Sequence, residues 1–275
     1  MADPMRIVVT GAQGYLGAKV LSRLTAKGVS VIPIGRRRGS GVLVCDLSKP
    51  DEVRRALAPV HPDRIVHCAA YVPNTLDEYE DLANAEKSLA MVDHLLNATT
   101  CPFVYISSMT VYGSGGCAPK REEEAGDSTS AYGVGKWQAE RLIEQTHRPA
   151  WAIRIPGLFG APRLGGLVSN VVRSFRDGEP LCLPDRPLVW AAMHVDDAAE
   201  SIATLAISES DRFQPVNIAY QGVYSVSRLV RTAAELFGRQ SGYVVEHPDF
   251  EFDLSRAHGL GAVPRRALRD ALGDL

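Results

Sequence analysis

A doubly wound parallel α/β sheet is the fold class this sequence predicts, and two observations predict it. Short β-rich runs alternate with longer amphipathic ones through the first half, and a glycine-punctuated turn joins the first strand to the first helix. Strands that alternate with helices pair in parallel, because each crossover helix returns the chain to the same end of the sheet. After Gly160 the regularity ends: Pro162, Gly165, Gly166, Gly178, Pro180, Pro184 and Pro187 break it repeatedly. Turn-rich sequence of this kind suits a smaller C-terminal substrate-binding lobe. The expected division is 1–160 for the sheet domain and 161–275 for a mixed lobe, with about 190–220 returning to the main sheet.

The elements follow in order. Met5–Thr10 is β-rich and reads as the first strand. An amphipathic helix is expected from Tyr15 to Lys27, with Val20, Leu21 and Leu24 on its apolar stripe. Val29–Ile34, Val42–Cys45, Arg64–Cys68, Phe103–Ile106 and Trp151–Ile155 read as further strands. Pro50–Leu57, Leu76–Ala98 and Ala131–Gln145 read as helices, and Met193–Leu205 as a later one. Ligands of such sheets bind at the carboxyl ends of the strands. Gly11, Ala69 and Ser108 are expected just beyond strand ends, where one cleft can collect them.

Between the first strand and helix stands Gly11-Ala12-Gln13-Gly14-Tyr15-Leu16-Gly17. In a dinucleotide-binding turn one glycine permits the tight bend, one admits a pyrophosphate to the backbone, and one lets helix and strand pack closely. The helix N-terminus then offers N–H groups and positive potential to the phosphates. The spacing here is Gly-x-x-Gly-x-x-Gly, which departs from the generic Gly-x-Gly-x-x-Gly. Tyr132 and Lys136 lie four residues apart, so a helix places phenol and ammonium on one face. A cation beside a phenol favours the phenolate and lowers its pKa, which suits tyrosine to acid/base work.

These motifs together resemble the extended short-chain dehydrogenase/reductase family, in its broad group of NAD(P)-dependent epimerases, dehydratases and reductases. Thr10 to Gly17 resembles the family's cofactor loop, Cys45-Asp46-Leu47 its acidic site for the adenine, and Val66 to Ala70 the strand end beneath the cofactor. Ser107 to Gly113 resembles the catalytic serine segment and Tyr132 to Lys136 the catalytic helix. Arg154–Gly160, His194–Asp197 and Leu260–Pro264 resemble three later landmarks. The resemblance implies a Rossmann domain with Gly11, Gln13, Gly14, Tyr15, Leu16, Gly17, Asp46, Leu47, Ala69, Ala70, Tyr132 and Lys136 at the cofactor. It implies Ser108 as the group that holds the substrate oxygen, Tyr132 as proton donor or acceptor, and Lys136 as the cation that depresses the tyrosine pKa and binds the nicotinamide ribose. Ser107 is the alternative serine, Thr110 a possible substrate contact, and Tyr112 and Trp137 read as packing residues. Dimerisation through the helix over Leu76–Ala98 is a further expectation of the family.

The end of the second strand discriminates between cofactors. An acidic residue there, about twenty residues beyond the glycines, binds the ribose hydroxyls of NAD. This chain reads Gly35-Arg36-Arg37-Arg38-Gly39 instead, without a carboxylate. Guanidinium groups favour the extra phosphate of NADP through charge and bidentate hydrogen bonds, so NADP is expected, with Arg36 and then Arg37 as its contacts and NAD as the alternative. A net reductase consumes NADPH, whereas family epimerases and dehydratases recycle a held NAD. The expected activity is therefore reduction of a keto group on a small molecule or nucleotide-linked deoxysugar. A nucleotide-sugar epimerase or dehydratase is the first alternative and a non-enzymatic NADP-binding regulator the second.

Gly157 stands where nucleotide-sugar members carry asparagine, and Trp190 where they carry an arginine for the diphosphate. Either Arg163, Arg173 or Arg186 replaces that arginine, or the substrate is a smaller or more apolar carbonyl compound with Trp190 stacked on it. His67 and His194 read as buried and hydrogen-bonded, Asp196 and Asp197 as caps of the following helix, and Lys120–Glu124 as a solvated loop. The 275 residues, 45% hydrophobic with net charge −2, suit a globular chain and argue against an electrostatic grip on nucleic acid. No apolar run approaches membrane-spanning length, and Met1–Pro4 leads into a strand without a signal sequence. Five scattered cysteines, without metal-ligand spacing, suit reduced thiols in a cytoplasm, with Cys45 and Cys68 as small core residues.

Overall fold

The computed structural model describes residues 4–113, 119–183, 187–240 and 247–275. Strands β1 (Arg6–Thr10), β2 (Ser30–Gly35), β3 (Leu43–Val44), β4 (Arg64–His67), β5 (Phe103–Ser108), β6 (Ala150–Ile155) and, after two outlying strands, β9 (Phe213–Asn217) form a seven-stranded sheet. Its order is β3-β2-β1-β4-β5-β6-β9 and every pairing is parallel. The outlying strands, β7 (Gly157–Phe159) and β8 (Ala192–His194), pair in parallel with each other. The reversal of strand order beside β1 places the glycine turn at the topological switch point, where open sheets of this kind take their ligands.

The helices cover both faces. Alternation along β1 sends Ile7 and Val9 to one core and Val8 to the other. The first core takes Val20 and Leu24 of α1 (Tyr15–Ala26), and the second takes Val53 of α2 (Pro50–Leu57), Val92 and Leu95 of α3 (Leu82–Ala98) and Ile143 of α4 (Ala131–Gln145). The C-terminal half adds α5 (Leu167–Asp177), α6 (Val195–Ile207), α7 (Val226–Leu236), α8 (Ser255–Gly259) and α9 (Leu268–Leu272). α6 packs against α1, and its residues Ala198, Ala199, Ile202 and Ala203 are fully buried. The chain thus returns to the main sheet after α6, through β9. No helix among the described residues is long and apolar enough to cross a membrane.

Several expected boundaries shift, each for a local reason. β5 runs on to Ser108, because Ser107 and Ser108 pair with Arg154 and Ile155 of β6; Ser108 ends the strand and does not lie beyond it. The helix expected from Leu76 starts at Leu82: the Asp81 carboxylate accepts from the Asn84 N–H at 2.9 Å and caps it there, leaving Asp77–Glu80 as a 3-10 turn. Asp196 and Asp197 do not cap α6. The His194 Nδ1 accepts from the Asp196 N–H at 3.2 Å, while Asp196 pairs with Lys19 at 3.0 Å and Asp197 with Arg266 at 2.7 Å. The Lys120–Glu124 run is not wholly solvated either: Glu122 is buried and its Oε1 accepts from the Asn217 N–H at 3.0 Å. Strands β7 and β8 have no counterpart in the sequence reading. Among the described cysteines Cys45 is buried, Cys68 and Cys101 half-buried and Cys182 exposed, all as free thiols; Cys117 lies outside the described residues.

One buried ion pair joins the second half of the sheet to its helix. Glu140 of α4 and Arg154 of β6 are 0% and 1% exposed, with Arg154 Nη2 donating to Glu140 Oε2 at 2.6 Å and Nε to Oε1 at 3.0 Å. The remaining guanidinium nitrogen donates to the Tyr112 hydroxyl at 2.9 Å and to the Glu122 carbonyl at 2.6 Å. The Ser107 hydroxyl donates to Glu140 Oε1 at 2.5 Å. Removing one charge of a buried pair leaves the other uncompensated, so Glu140→Gln is expected to destabilise the fold by about 3 kcal/mol in urea unfolding.

Candidate active site

The carboxyl edge of the sheet collects the backbone of the glycine turn. Register places Thr10 beside both Ile34 and His67, so the residues that follow β1, β2 and β4 emerge together. Gly11 adopts φ +64°, and a Cβ there would lie 2.8 Å from the Ala69 nitrogen; the turn and the end of β4 meet without room for a side chain. A Cβ on Gly17 would collide with the Gly11 carbonyl, which is how the first turn of α1 sits down on the loop. The Gly14 N–H donates to the Gly11 carbonyl at 2.8 Å, and Gly14 caps α1 with no side chain to accept from the N–H groups of the first turn. Such a backbone cradle at a helix N-terminus fits the pyrophosphate of a dinucleotide.

Around that cradle the other expected cofactor residues take distinct places. The Tyr15 hydroxyl donates to the Gly160 carbonyl at 2.7 Å, tying α1 to the start of the C-terminal half. Leu16 is half-buried against the core. The Gln13 carboxamide reaches across to the backbone of Arg37, and Arg36, Arg37 and Arg38 are all exposed. Asp46 is half-buried just after β3, and Ser48 hydrogen bonds, with the Arg36 charge as a minor cause, hold its carboxyl below the usual range. Leu47 is buried, with its carbonyl accepting from His94 Nδ1 at 2.9 Å. Beneath the turn, Thr10 and His67 are buried and hydrogen-bonded, Oγ1 to Nδ1, at 2.7 Å. Burial, then the Lys136 charge, pushes His67 down to about 3, so this imidazole is neutral near pH 7.

The structure brings Ser108, Tyr132 and Lys136 together and separates the two serines. Ser107 is committed to Glu140, whereas the Ser108 hydroxyl is near enough to Tyr132 to act on the phenol's pKa. Ser130 caps α4 through the Gly133 N–H at 3.2 Å, which starts the helix one residue before Tyr132. A Cβ on Gly133 would lie 2.8 Å from the Thr110 carbonyl, so the bare glycine lets α4 approach the segment after Ser108. Lys136 is buried; its ammonium donates to the Ile106 carbonyl at 2.7 Å and stands 4.8 Å from the Tyr105 ring centre and 5.6 Å from that of Tyr132. Burial lowers Lys136 to about 8.

The expectation that Lys136 depresses the Tyr132 pKa is corrected here. Burial raises the phenol well above its ordinary value, Tyr79 adds to the rise, and the Ser108 hydroxyl alone opposes it. The ammonium is spent on the Ile106 carbonyl and the aromatic faces, where a buried cation finds its compensation. Tyr132 also packs edge-on against Tyr79, with ring centres 5.6 Å apart. Tyr79 was not legible beforehand, because the 3-10 turn that carries it reads as the start of a helix.

A cleft of about 360 Å³ opens beside Tyr132, lined also by Ala70 to Asn74, Glu78, Asp81, Asn84 and Ala85. Trp190 is not among its lining residues; that ring is half-buried and edge-on to Tyr224 at 6.3 Å. The Thr110 N–H donates to Ser108 Oγ at 3.2 Å, and the buried Thr110 Oγ1 has no hydrogen-bond partner among the described residues. Tyr112 is packing: fully buried, it donates to Asn217 Oδ1 at 2.6 Å. Of the three arginines considered for a diphosphate, Arg163 lies within charge reach of Tyr15 and Tyr79, Arg173 pairs with Glu179 at 3.6 Å, and Arg186 lies outside the described residues. Among the described residues no cluster of three His, Cys, Asp or Glu side chains could hold a metal ion.

The chain is 25% identical over 200 residues to UDP-glucose 4-epimerase of Neisseria meningitidis serogroup C, covering 64% of this chain and 58% of that protein. It is 26% identical over 237 residues to 2'-dehydrokanamycin reductase of Streptomyces kanamyceticus, covering 79% of this chain and 62% of that one. The chain thus spans about three-fifths of the length of these curated relatives. In structure it matches UDP-glucose 4-epimerase of Thermus thermophilus in complex with NAD, with TM-score 0.79 at 18% identity over 98% of this chain and 96% of that one. The model of the NAD dependent epimerase/dehydratase family matches residues 7–219, and the chain belongs to that family.

Proposed function

We propose that the protein is an NADPH-dependent oxidoreductase that reduces a keto group, on a small molecule or a nucleotide-linked deoxysugar, with Tyr132 as the general acid. One observation carries the cofactor assignment: three exposed arginines follow β2 where a carboxylate would serve NAD. The backbone cradle of Gly11, Gly14 and Gly17 supports dinucleotide binding, and similarity to 2'-dehydrokanamycin reductase supports a net reduction.

When bound, the dinucleotide supplies the hydride. Every other part of the step falls to side chains. The Ser108 hydroxyl donates to the substrate oxygen and orients it, and converts an encounter into a positioned reaction. The Tyr132 hydroxyl gives its proton to that oxygen as negative charge develops there. A phenol held above its ordinary pKa stays protonated at neutral pH, which is the state a proton donor for reduction requires. Lys136, positively charged below about 8, binds the ribose hydroxyls. Arg36 and then Arg37 take the extra phosphate. A second reading, nucleotide-sugar epimerisation with a retained NAD, is favoured by the similarity to UDP-glucose 4-epimerases, one of them solved with NAD.

Three outcomes are expected. Titration with NADPH and NADH shows a preference for NADPH that Arg36→Ala/Arg37→Ala removes, and the purified protein carries no dinucleotide; tightly held NAD, indifferent to both arginines, establishes the epimerase reading instead. Tyr132→Phe retains cofactor binding but loses on the order of 100- to 10,000-fold in the rate of ketone reduction in single-turnover assays. For Lys136 burial lowers the pKa, so its charge is present below about 8 and lost as pH rises through that value. The pH profile of kcat/KM accordingly declines on its alkaline side from about 8.

A further inference from the structure

The loop that carries the three arginines is held by a side chain from the glycine turn. Gln13 Nε2 donates to the Arg37 carbonyl at 2.9 Å, and Gln13 Oε1 accepts from the Arg37 N–H at 3.1 Å. The carboxamide therefore pairs with both backbone polar groups of one residue, as a neighbouring strand would. Gly35 has no Cβ because the Gln13 carboxamide occupies that space, and a Cβ on Gly39 would lie 3.3 Å from Gln13 Nε2. Gln13 thus holds the loop at Arg37, fills the side-chain space at Gly35 and leaves little room for a side chain at Gly39. Among the described residues, no other side chain hydrogen-bonds to the backbone of residues 36–41, whose one further turn bond is from the Val42 N–H to the Gly39 carbonyl at 3.2 Å.

The consequence is chemical. Arginine carries much rotamer entropy, and a loop with no fixed backbone adds more to what phosphate binding must overcome. A backbone pinned at Arg37 presents the flanking guanidinium groups from one defined origin. Gln13 itself is neutral and spends both ends of its amide on the loop, so its contribution passes through the arginines.

We propose that Gln13 is the positioning residue for cofactor choice: by bracketing the Arg37 backbone it sets the Arg36–Arg38 loop in the form that grips the extra phosphate of NADP(H). The inference rests on the NADPH reading above. It differs from an ordinary role for this position, which would involve only the turn backbone against the pyrophosphate and would affect both dinucleotides alike.

The test compares wild type, Gln13→Met, Gln13→Glu and Arg36→Ala/Arg37→Ala by two readouts. The first is the ratio of NADH to NADPH dissociation constants; the second is the rate of native-state tryptic cleavage after Arg36, Arg37 and Arg38 without cofactor, mapped by mass spectrometry. Methionine keeps the length of glutamine and loses both hydrogen bonds; glutamate keeps the acceptor for the Arg37 N–H and loses the donor. In Gln13→Met, NADPH affinity is expected to fall about tenfold with NADH affinity changed less than about twofold, and cleavage in the loop to accelerate about tenfold. Gln13→Glu loses the donor and sets a carboxylate against the Arg37 carbonyl and near the phosphate, so it is expected to lose NADPH affinity at least as far as Gln13→Met and to accelerate cleavage likewise. It serves as the test variant, by the cleavage readout, if Gln13→Met fails to fold by circular dichroism. A wild-type NADPH preference that vanishes in the arginine variant but survives unchanged in the Gln13 variants overturns this inference and leaves the NADPH reading standing. Equal loss of both dinucleotides in the Gln13 variants overturns it as well. Equal wild-type affinity for NADPH and NADH, unaffected by removal of the arginines, overturns the NADPH reading and this inference with it.

Discussion

Glu140 and Arg154 meet where α4, β5 and β6 meet, and the geometry of the site depends on that contact. Glu140 is one helical turn beyond Lys136, so the carboxylate that holds Arg154 also fixes the depth at which the lysine enters the protein. Through Ser107 the same carboxylate fixes the end of β5, and thereby turns the next residue, Ser108, toward Tyr132. Through Tyr112 and the Glu122 carbonyl, Arg154 reaches β9, where Asn217 accepts from the Tyr112 hydroxyl. A charge pair this deep offers little net stability over an apolar equivalent. Its directed bonds, unlike apolar packing, hold four segments at one mutual setting.

The opposite end of the site is governed by the absence of side chains. Gly11, Gly14 and Gly17 each mark a place where one backbone segment approaches another. The glycine turn and the helix of Tyr132 therefore come to the same sheet edge by different means, the first by close backbone contact and the second by a buried ionic network. Between them lie the neutral His67, whose Nδ1 is engaged by Thr10, and the Lys136 ammonium over the Tyr105 ring. Buried beside the Lys136 cation are the hydroxyls of Ser108 and Thr10, and a setting shielded from water strengthens electrostatic interactions with a charge that develops on a substrate.

Family membership leaves the reaction open at two points, and both are loops. In the function proposed above, the segment after β2 serves the cofactor and the cleft beside Tyr132, between the end of β4 and the start of α3, serves the substrate. Loops on a rigid sheet can change residue by residue without moving the cradle or the helix of Tyr132, which is how one fold supports reduction and epimerisation alike. Glu78 and Asp81 bring carboxylates to the rim of that cleft, and their engagement by Asn74 and Asn84 gives the rim a settled shape.

The sequence by itself determined the parallel sheet, the succession of its first six strands, the glycine turn and the placing of Tyr132 and Lys136 on one helix. These rest on period, turn chemistry and spacing along one segment, which are properties of neighbouring residues. Pro50–Leu57 and Ala131–Gln145 match their helices end to end for that reason. Tertiary structure alone decided the rest. Which of two adjacent serines faces Tyr132 depends on Glu140, thirty-three residues from Ser107. Whether the phenol is raised or lowered depends on burial, and the ammonium four residues away is turned aside by the Ile106 carbonyl of another strand. His194 caps α6 in place of the two aspartates because Lys19 and Arg266 claim them from distant helices and loops. Gln13 stands twenty-four residues before Arg37, yet the two pair because β1 and β2 lie side by side. Spacing records which groups a segment owns; the partners those groups find are set by packing between segments, and only folding brings the segments together.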